Sequence, residues 1–463
     1  MIKNISKKAF VLASGAAIGQ FFVLIISPIL TRVYSPGDFG VFSIYTAILY
    51  FFSSISALRY EVAIPLAKRE IDSNRLVIAS FFILILSTFI VFFGLILLLF
   101  YRNEIYPNYF VWALPVGIFL AGLYNLIINC VLRKNHHLMI AKSGALQSIS
   151  GAVFQTFSGL FGVGVLGLIL GQMLGIVVGI LSLIKSTKFN KVYINFKIKS
   201  ILKIINEKSN FAKYDAPAAL ISIANTHAPI LIIGIVFSPT FAGIFALAQR
   251  IIVAPFGILS SAVSNAFLSQ GRIYEQSADE RVFREKLYKL LGLIPPLAVC
   301  ASTILYSTFP VIFGETWHSG AEVALWIALF AGYKVIFDSI ASLFSIKGIQ
   351  KKGVKIQLIL LVVRLMFLIV VGAIFGFHIG VAFFSFSGAV TYFFSILSVF
   401  SINNNYFNKY CLIGIFEIFL AYSVMGSLVL LDIEFVYSML LMLLSFFLFV
   451  IRSRNFMKNL KNN

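Results

Sequence analysis

Ser35-Pro-Gly-Asp-Phe-Gly-Val-Phe42 returns later in the chain as Ser238-Pro-Thr-Phe-Ala-Gly-Ile-Phe245. The stretches share Ser35-Pro36 and Ser238-Pro239, the glycines Gly40 and Gly243 four residues after each proline, and a closing aliphatic-Phe pair. Each joins one long apolar segment to the next. Such a repeat points to two homologous halves, and in a membrane protein halves of this kind flank a substrate path near the bilayer midplane.

Working outward, composition sets the class. Hydrophobic residues make up 60% of the chain and charged residues only 12%, with a mean hydropathy of +0.97, far outside the balance of a soluble domain. No charge occurs from Leu76 to Tyr101 or from Ser143 to Ile184. At about 20 residues per crossing the second stretch holds two spans, turning back near Gly162-Val163-Gly164. Apolar runs between charge clusters and Gly/Pro breaks give about fourteen helices, centred near Val23, Ala47, Leu86, Leu120, Val153, Val177, Leu231, Leu259, Ala301, Val335, Phe367, Val390, Leu420 and Leu443. The expected fold is an all-α polytopic membrane protein with two parallel six-helix lobes around a central cavity and two further helices at the C-terminus.

The basic residues test that count. Of 37 Lys and Arg, only Arg32 and Arg102 fall on one side, Arg250, Lys334 and Arg364 fall inside spans, and the rest line the other side. By the positive-inside rule both termini are cytoplasmic, and the first helix acts as a signal anchor. The net charge of +20 is therefore mostly topology, and nucleic acid is not an expected partner. Both Ser-Pro turns fall on the outer side, six spans apart, which gives the halves the same orientation. The expected domains are an N-terminal lobe at 1–187, a basic cytoplasmic linker at 188–212, a C-terminal lobe at 213–402, and two spans with a cytoplasmic tail at 403–463. Within the linker, Ile198, Ile201, Leu202 and Ile205 share a helical face opposite Lys199 and Lys203, consistent either with an interfacial amphipathic helix or with a solvated connection.

Charges inside spans are functional candidates, because at mid-bilayer they need a partner or a wet cavity. Arg250, Arg364 and Lys334 are the interior cations and Asp338 the interior anion. Lys334 and Asp338 stand one helical turn apart and can neutralise each other. A net positive interior suits an anionic substrate, and guanidinium grips phosphate oxygens through its planar fork. Arg59 and Glu61 lie at the cytoplasmic end of the second span, as substrate-path and ion-coupling candidates or as a topology anchor with a local salt bridge. Asp215, at the cytoplasmic mouth of the seventh span, is a further ion-coupling candidate or a solvated carboxylate. His227 reads as a proton relay or as a histidine bonded to backbone. Ser148, Gly151, Gln155, Ser158 and Gly162 form a stripe that is either cavity lining or helix packing.

Several chemistries have no sequence support. There is no phosphate-binding Gly-x4-Gly-Lys loop and no His/Cys cluster at metal spacing, so no metal, no cofactor and no enzymatic activity are expected. Cys130, Cys300 and Cys411 lie in apolar segments and read as small packing residues. The outer loops are short, which leaves no room for the external domain a membrane glycan polymerase or transferase needs.

Leu30-Thr-Arg-Val-Tyr-Ser-Pro-Gly-Asp-Phe-Gly-Val-Phe42, followed by Leu58-Arg-Tyr-Glu-Val-Ala-Ile-Pro65, resembles the opening of bacterial O-antigen and capsule repeat-unit flippases. Leu132-Arg-Lys134 and Gly243-Ile-Phe-Ala-Leu-Ala-Gln-Arg-Ile251 are similar to the same family, a branch of the multidrug/oligosaccharidyl-lipid/polysaccharide exporter (MOP) superfamily. The likeness runs from about Ser14 to Phe400. It implies an inner-membrane flippase that moves undecaprenyl-pyrophosphate-linked oligosaccharide from the cytoplasmic to the periplasmic leaflet by alternating access, with the lipid tail in the membrane. It also implies the polysaccharide polymerase and the chain-length regulator as partners. Related lipid II flippases are expected to carry a cavity arginine in both the second and the eighth helix. Here Arg250 matches and Ala47 does not, which favours the repeat-unit branch. The competing transport reading is a cation-coupled multidrug exporter of the same superfamily, whose interior should carry carboxylates instead of arginines.

Overall fold

The computed structural model describes residues 2–101, 109–186, 198–274, 280–340 and 350–399, with 418, 419, 421–423, 425, 426 and 429. Among these residues the structure is helical throughout, with no strand. One compact unit comprises 11–235 and the other 236–463 together with 1–10. Eight helices among the described residues are long and apolar enough to cross a membrane, and shorter apolar stretches occur at Ala17–Val33 and Leu297–Phe313. Each of the first twelve span centres read from the sequence falls inside a helix. The thirteenth and fourteenth centres, Leu420 and Leu443, lie outside the described residues, as does Cys411.

The first unit contains α1 (Ile2–Val33, from Val11 onward), α2 (Pro36–Ser53), the single turn α3 (Tyr60–Ala63), α4 (Glu70–Tyr101), α5 (Phe110–Arg133), α6 (His137–Leu160), α7 (Val165–Ser186), α8 (Ile198–Glu207) and α9 (Ala216–Val236). α2 begins where the repeat begins, and the cause is local. Ser35 Oγ accepts the Asp38 N–H at 3.1 Å while the Asp38 carboxylate accepts the Ser35 N–H at 3.1 Å, and Pro36 occupies the first helical position, where no N–H is needed. The break between α6 and α7 falls at Gly162 and Gly164, with φ of +70° and +66°, a conformation that favours glycine.

The polar stripe on α6 is packing. Gln155 Nε2 donates to the Leu168 carbonyl at 2.9 Å, Ser143 Oγ donates to the Gly179 carbonyl at 2.8 Å, and Tyr34 Oη donates to the Gln155 carbonyl at 2.7 Å. α6 and α7 approach backbone to backbone, so a Cβ on Gly175 would stand 2.5 Å from the Gln147 carbonyl oxygen and 3.2 Å from Gly151 Cα. α4 turns Phe82, Leu86, Phe89, Ile90, Phe93 and Leu97 outward, the pattern of a lipid-facing helix.

Between α7 and α9 the chain forms an amphipathic helix, α8. In α8, Ile204 is buried and Ile205 packs with it against Tyr60, Ile64 and Leu76, while Ile198 and Leu202 stay exposed beside Lys199 and Lys203. The docked edge is thus centred on Ile204, one position round the helix from the face read in the sequence. Tyr60 Oη closes the contact by donating to the Ile205 carbonyl at 3.2 Å.

The second unit contains α10 (Pro239–Tyr274), α11 (Glu280–Phe313), α12 (Ser319–Ile340), α13 (Gln350–Phe375) and α14 (Phe377–Val399). α12 is the centre of the unit: it packs against α10, α11 and α14, and almost every side chain before Lys334 is buried. The second Ser-Pro turn repeats the cap of the first with one difference. Phe241 stands where Asp38 stands in the first copy, so Ser238 Oγ accepts the Phe241 N–H at 3.3 Å with no carboxylate to reciprocate. Instead the Phe241 ring stacks on Phe377 of α14, centroids 4.3 Å apart.

Candidate functional site

The interior charges of the membrane-length helices are not shared equally. In the first unit every described charge on such a helix lies within two turns of a helix end, and α9 carries none. Arg250 and Arg364, more than two turns from either end of their helices, belong to the second unit, as does Lys334, less than two turns before the last described residue of α12.

Lys334 and Asp338 form an ion pair along α12. Pairing offsets the desolvation each charge would otherwise suffer, and it answers the question their spacing raised: they neutralise each other. Arg364 on α13 is only 3% exposed. Its guanidinium carbon lies 4.1 Å from the centroid of Phe330 and 4.2 Å from that of Phe384, with Tyr392 at 5.9 Å. The Phe330 and Phe384 centroids are 6.0 Å apart, so the cation sits in the corner between two rings. Ring quadrupoles replace part of the lost hydration there. Nε of Arg364 has no hydrogen-bond partner among the described residues. Arg250 on α10 is half-buried and follows the second Ser-Pro turn, whereas its counterpart Ala47 is wholly buried in α2.

At the end of α2 the Leu58-Arg-Tyr-Glu-Val-Ala-Ile-Pro65 segment makes a tight double turn. Leu58 and Arg59 both adopt positive φ, +50° and +65°, which costs a non-glycine residue energy and needs surrounding contacts to hold it. Arg133 braces the end of the segment, donating to the Ile64 and Ala67 carbonyls at 3.0 and 2.6 Å. Glu61 is buried at 4% exposure, 3.9 Å from Arg59, and its Oε2 has no hydrogen-bond partner. Burial pushes the Glu61 carboxyl above its usual value of 4.5, against the lowering effects of its own backbone hydrogen bond and of Arg59. Asp215, by contrast, is exposed at the end of a π-helical turn, Phe211–Asp215.

The sign of the Glu61 effect can be measured. A raised folded-state value means that the folded protein holds this proton more tightly than the unfolded chain, so stability falls as pH rises from the unfolded value through the folded one. Glu61→Gln is expected to raise the melting temperature by about 2 °C at about pH 7.5 and to leave it nearly unchanged at about pH 4, where the wild-type carboxyl is already protonated. Thermal unfolding of purified protein at the two pH values checks this.

Three neutral side chains that sequence reasoning did not assemble meet in the first unit. Gln172 Nε2 of α7 donates to Tyr50 Oη of α2 at 3.0 Å, and the Tyr50 ring packs on His227 of α9 with centroids 5.3 Å apart. His227 Nδ1 is removed from solvent and has no hydrogen-bond partner among the described residues, so this nitrogen is not bonded to backbone.

Comparison with known proteins agrees with this architecture. The model of a family described as polysaccharide biosynthesis protein matches residues 29–322. No curated protein matches the chain in sequence. Among solved structures, the inward-closed lipid II flippase MurJ is similar with a TM-score of 0.71 and 15% identity over 97% of this chain and all of that one. An inward-facing multidrug resistance MATE family transporter of the MOP superfamily is similar with a TM-score of 0.59 and 13% identity over 84% and 98% of the two chains. A point mutant of the Vibrio cholerae MATE transporter VcmN gives 0.56 and 12% over 86% and 97%. These neighbours are transporters and flippases, not catalysts, and at such identities they speak to fold. A multi-pass membrane protein with the MurJ/MATE fold, this chain belongs to the polysaccharide biosynthesis protein family.

Proposed function

We propose that this protein is a flippase for undecaprenyl-pyrophosphate-linked oligosaccharide, an O-antigen or capsule repeat unit, moving it from the cytoplasmic to the periplasmic leaflet of the bacterial inner membrane. The observation that carries the reading is the sign of the interior charge. With Lys334 and Asp338 paired, the further interior charges singled out are two guanidinium groups, Arg250 and Arg364. A pyrophosphate entering a low-dielectric path needs such groups, and the arginine fork matches its oxygens. Family membership in polysaccharide biosynthesis supports the sugar-bearing side of the substrate. A drug exporter for organic cations would want the opposite polarity.

In this mechanism Arg250 grips the pyrophosphate directly. Arg364, held behind the Phe330 and Phe384 rings, contributes positive potential, and Lys334 and Arg59 border the path. The lipid tail remains in the bilayer and both termini stay cytoplasmic. Release requires the affinity to differ between inward- and outward-open states, since a ligand bound equally in both shifts nothing. An ion acting on Asp338, Glu61 or Asp215 supplies that difference.

Deletion in the native host, with plasmid complementation, tests the proposal. The expected result is loss of surface glycan with accumulation of lipid-linked repeat units on the cytoplasmic side, reversed by the plasmid. Single repeat units displayed outside on the lipid A core would instead indicate a polymerase, and unchanged surface glycan with altered drug tolerance would indicate an exporter.

A further inference from the structure

The flippase reading gives the pyrophosphate a place among the cations of the second unit and leaves the sugar unaccounted for. A hydroxyl-rich oligosaccharide needs hydrogen-bonding groups and flat apolar faces, and its hydroxyls require no counter-charge. The first unit provides that chemistry in one place. Tyr50, Gln172 and His227 converge from α2, α7 and α9, and the membrane-length helices of this unit carry charges only near their ends. His227 lies near the middle of α9.

A purely structural cluster does not account for all of it. The Gln172–Tyr50 bond alone joins α2 to α7 and uses only one of the amide's donors. Packing of α9 on Tyr50 needs only an apolar ring, and phenylalanine would serve. An imidazole brings a nitrogen that is out of water and has no partner among the described residues, in mid-helix, where polar groups are costly unless something uses them. The components are also those that bind sugars: two aromatic faces for C–H surfaces, an amide and a phenol that present donors and acceptors, and an imidazole nitrogen with bonding capacity to spare. A cation is disfavoured because no carboxylate belongs to the cluster, and a strongly anionic group because no lysine or arginine does.

We infer that Tyr50, Gln172 and His227 form a subsite without formal charge pairs that contacts the sugar portion of the lipid-linked oligosaccharide. The inference rests on the flippase reading, and its test keeps the two apart.

Full-length protein in lipid nanodiscs is titrated with two probes: undecaprenyl pyrophosphate without sugar, and the lipid-linked repeat unit extracted from the deletion strain. Wild type is expected to bind the sugar-bearing probe about tenfold more tightly, the worth of one or two good polar contacts. Tyr50→Phe and His227→Phe keep ring volume and remove the polar atoms. Each is expected to lose about fivefold or more of that preference while binding the bare pyrophosphate as wild type does, which also reports that the variant is folded. Should His227→Phe fail to bind the bare probe, His227→Gln and Gln172→Leu give the same reading. Variants that keep the full preference for the sugar-bearing probe overturn the subsite and leave the flippase assignment standing. Wild type that binds neither probe overturns both.

Discussion

Cells carrying Arg250→Ala as their sole copy are expected to display no surface glycan, with the protein present in the membrane at wild-type abundance. Abundance should hold because the repeat supplies the control: Ala47 occupies the matching position of α2, where alanine is wholly buried and the helix intact. Alanine is also the best helix former. Function should fail because two charge-assisted hydrogen bonds to phosphate are worth about 1.5–3 kcal/mol each, together two to four orders of magnitude in affinity. Arg250→Lys separates charge from geometry. It keeps the cation, loses the planar fork, and should transport at a reduced rate. Immunoblots of membranes beside gels of surface glycan read both quantities, and an Arg250→Ala strain with full-length glycan at wild-type levels would sink the assignment.

Gly175→Leu should be the most damaging substitution for the fold. The first atom of any side chain at this position would lie 2.5 Å from the Gln147 carbonyl oxygen and 3.2 Å from Gly151 Cα, both backbone atoms of a facing helix. A flexible neighbour could move aside, but backbone moves only with its helix. Forcing α6 away from α7 would strain the bonds from Gln155 to Leu168 and from Ser143 to Gly179. The expected loss exceeds about 4 kcal/mol, the range reserved for overpacking and broken buried networks. Gly144→Leu is the matched control, since an added Cβ on that α6 glycine meets nothing within 4 Å. Steady-state protein and melting temperature should collapse for the first variant and hold for the second. Equal behaviour of the two would mean that α6 and α7 are not in this contact.

What could be read from the sequence was what lies close along the chain. The Gly162–Gly164 break and the Lys334–Asp338 pair are each settled within a few residues, so spacing was enough to propose them. Span centres were legible because lipid demands long uncharged runs. The environment of Arg364 was not. Phe330, Phe384 and Tyr392 come from two other helices, in a chain where aromatic residues make up 15% and none stands out. The same holds for Tyr50 and Gln172, each ordinary in its own segment; His227 stood out alone, but nothing in the sequence put it beside them. For Arg59 and Glu61 the sequence offered a local salt bridge at a span end, and the two stand 3.9 Å apart. What spacing did not show is that the carboxyl is only 4% exposed and sits beside two residues in the left-handed conformation.

The two Ser-Pro caps differ in when they can form. The start of α2 is self-sufficient once Asp38 has left the ribosome, because both halves of its cap lie within four residues. The start of α10 leans on Phe377, which is synthesised well over a hundred residues after Phe241. Chains emerge from the N-terminus and domains form as they appear. The first unit can therefore lock its Ser-Pro turn during insertion, while the second holds an unfinished helix end until α14 arrives. A truncation just before Phe377 should leave the first unit protected from protease and the start of α10 open to it.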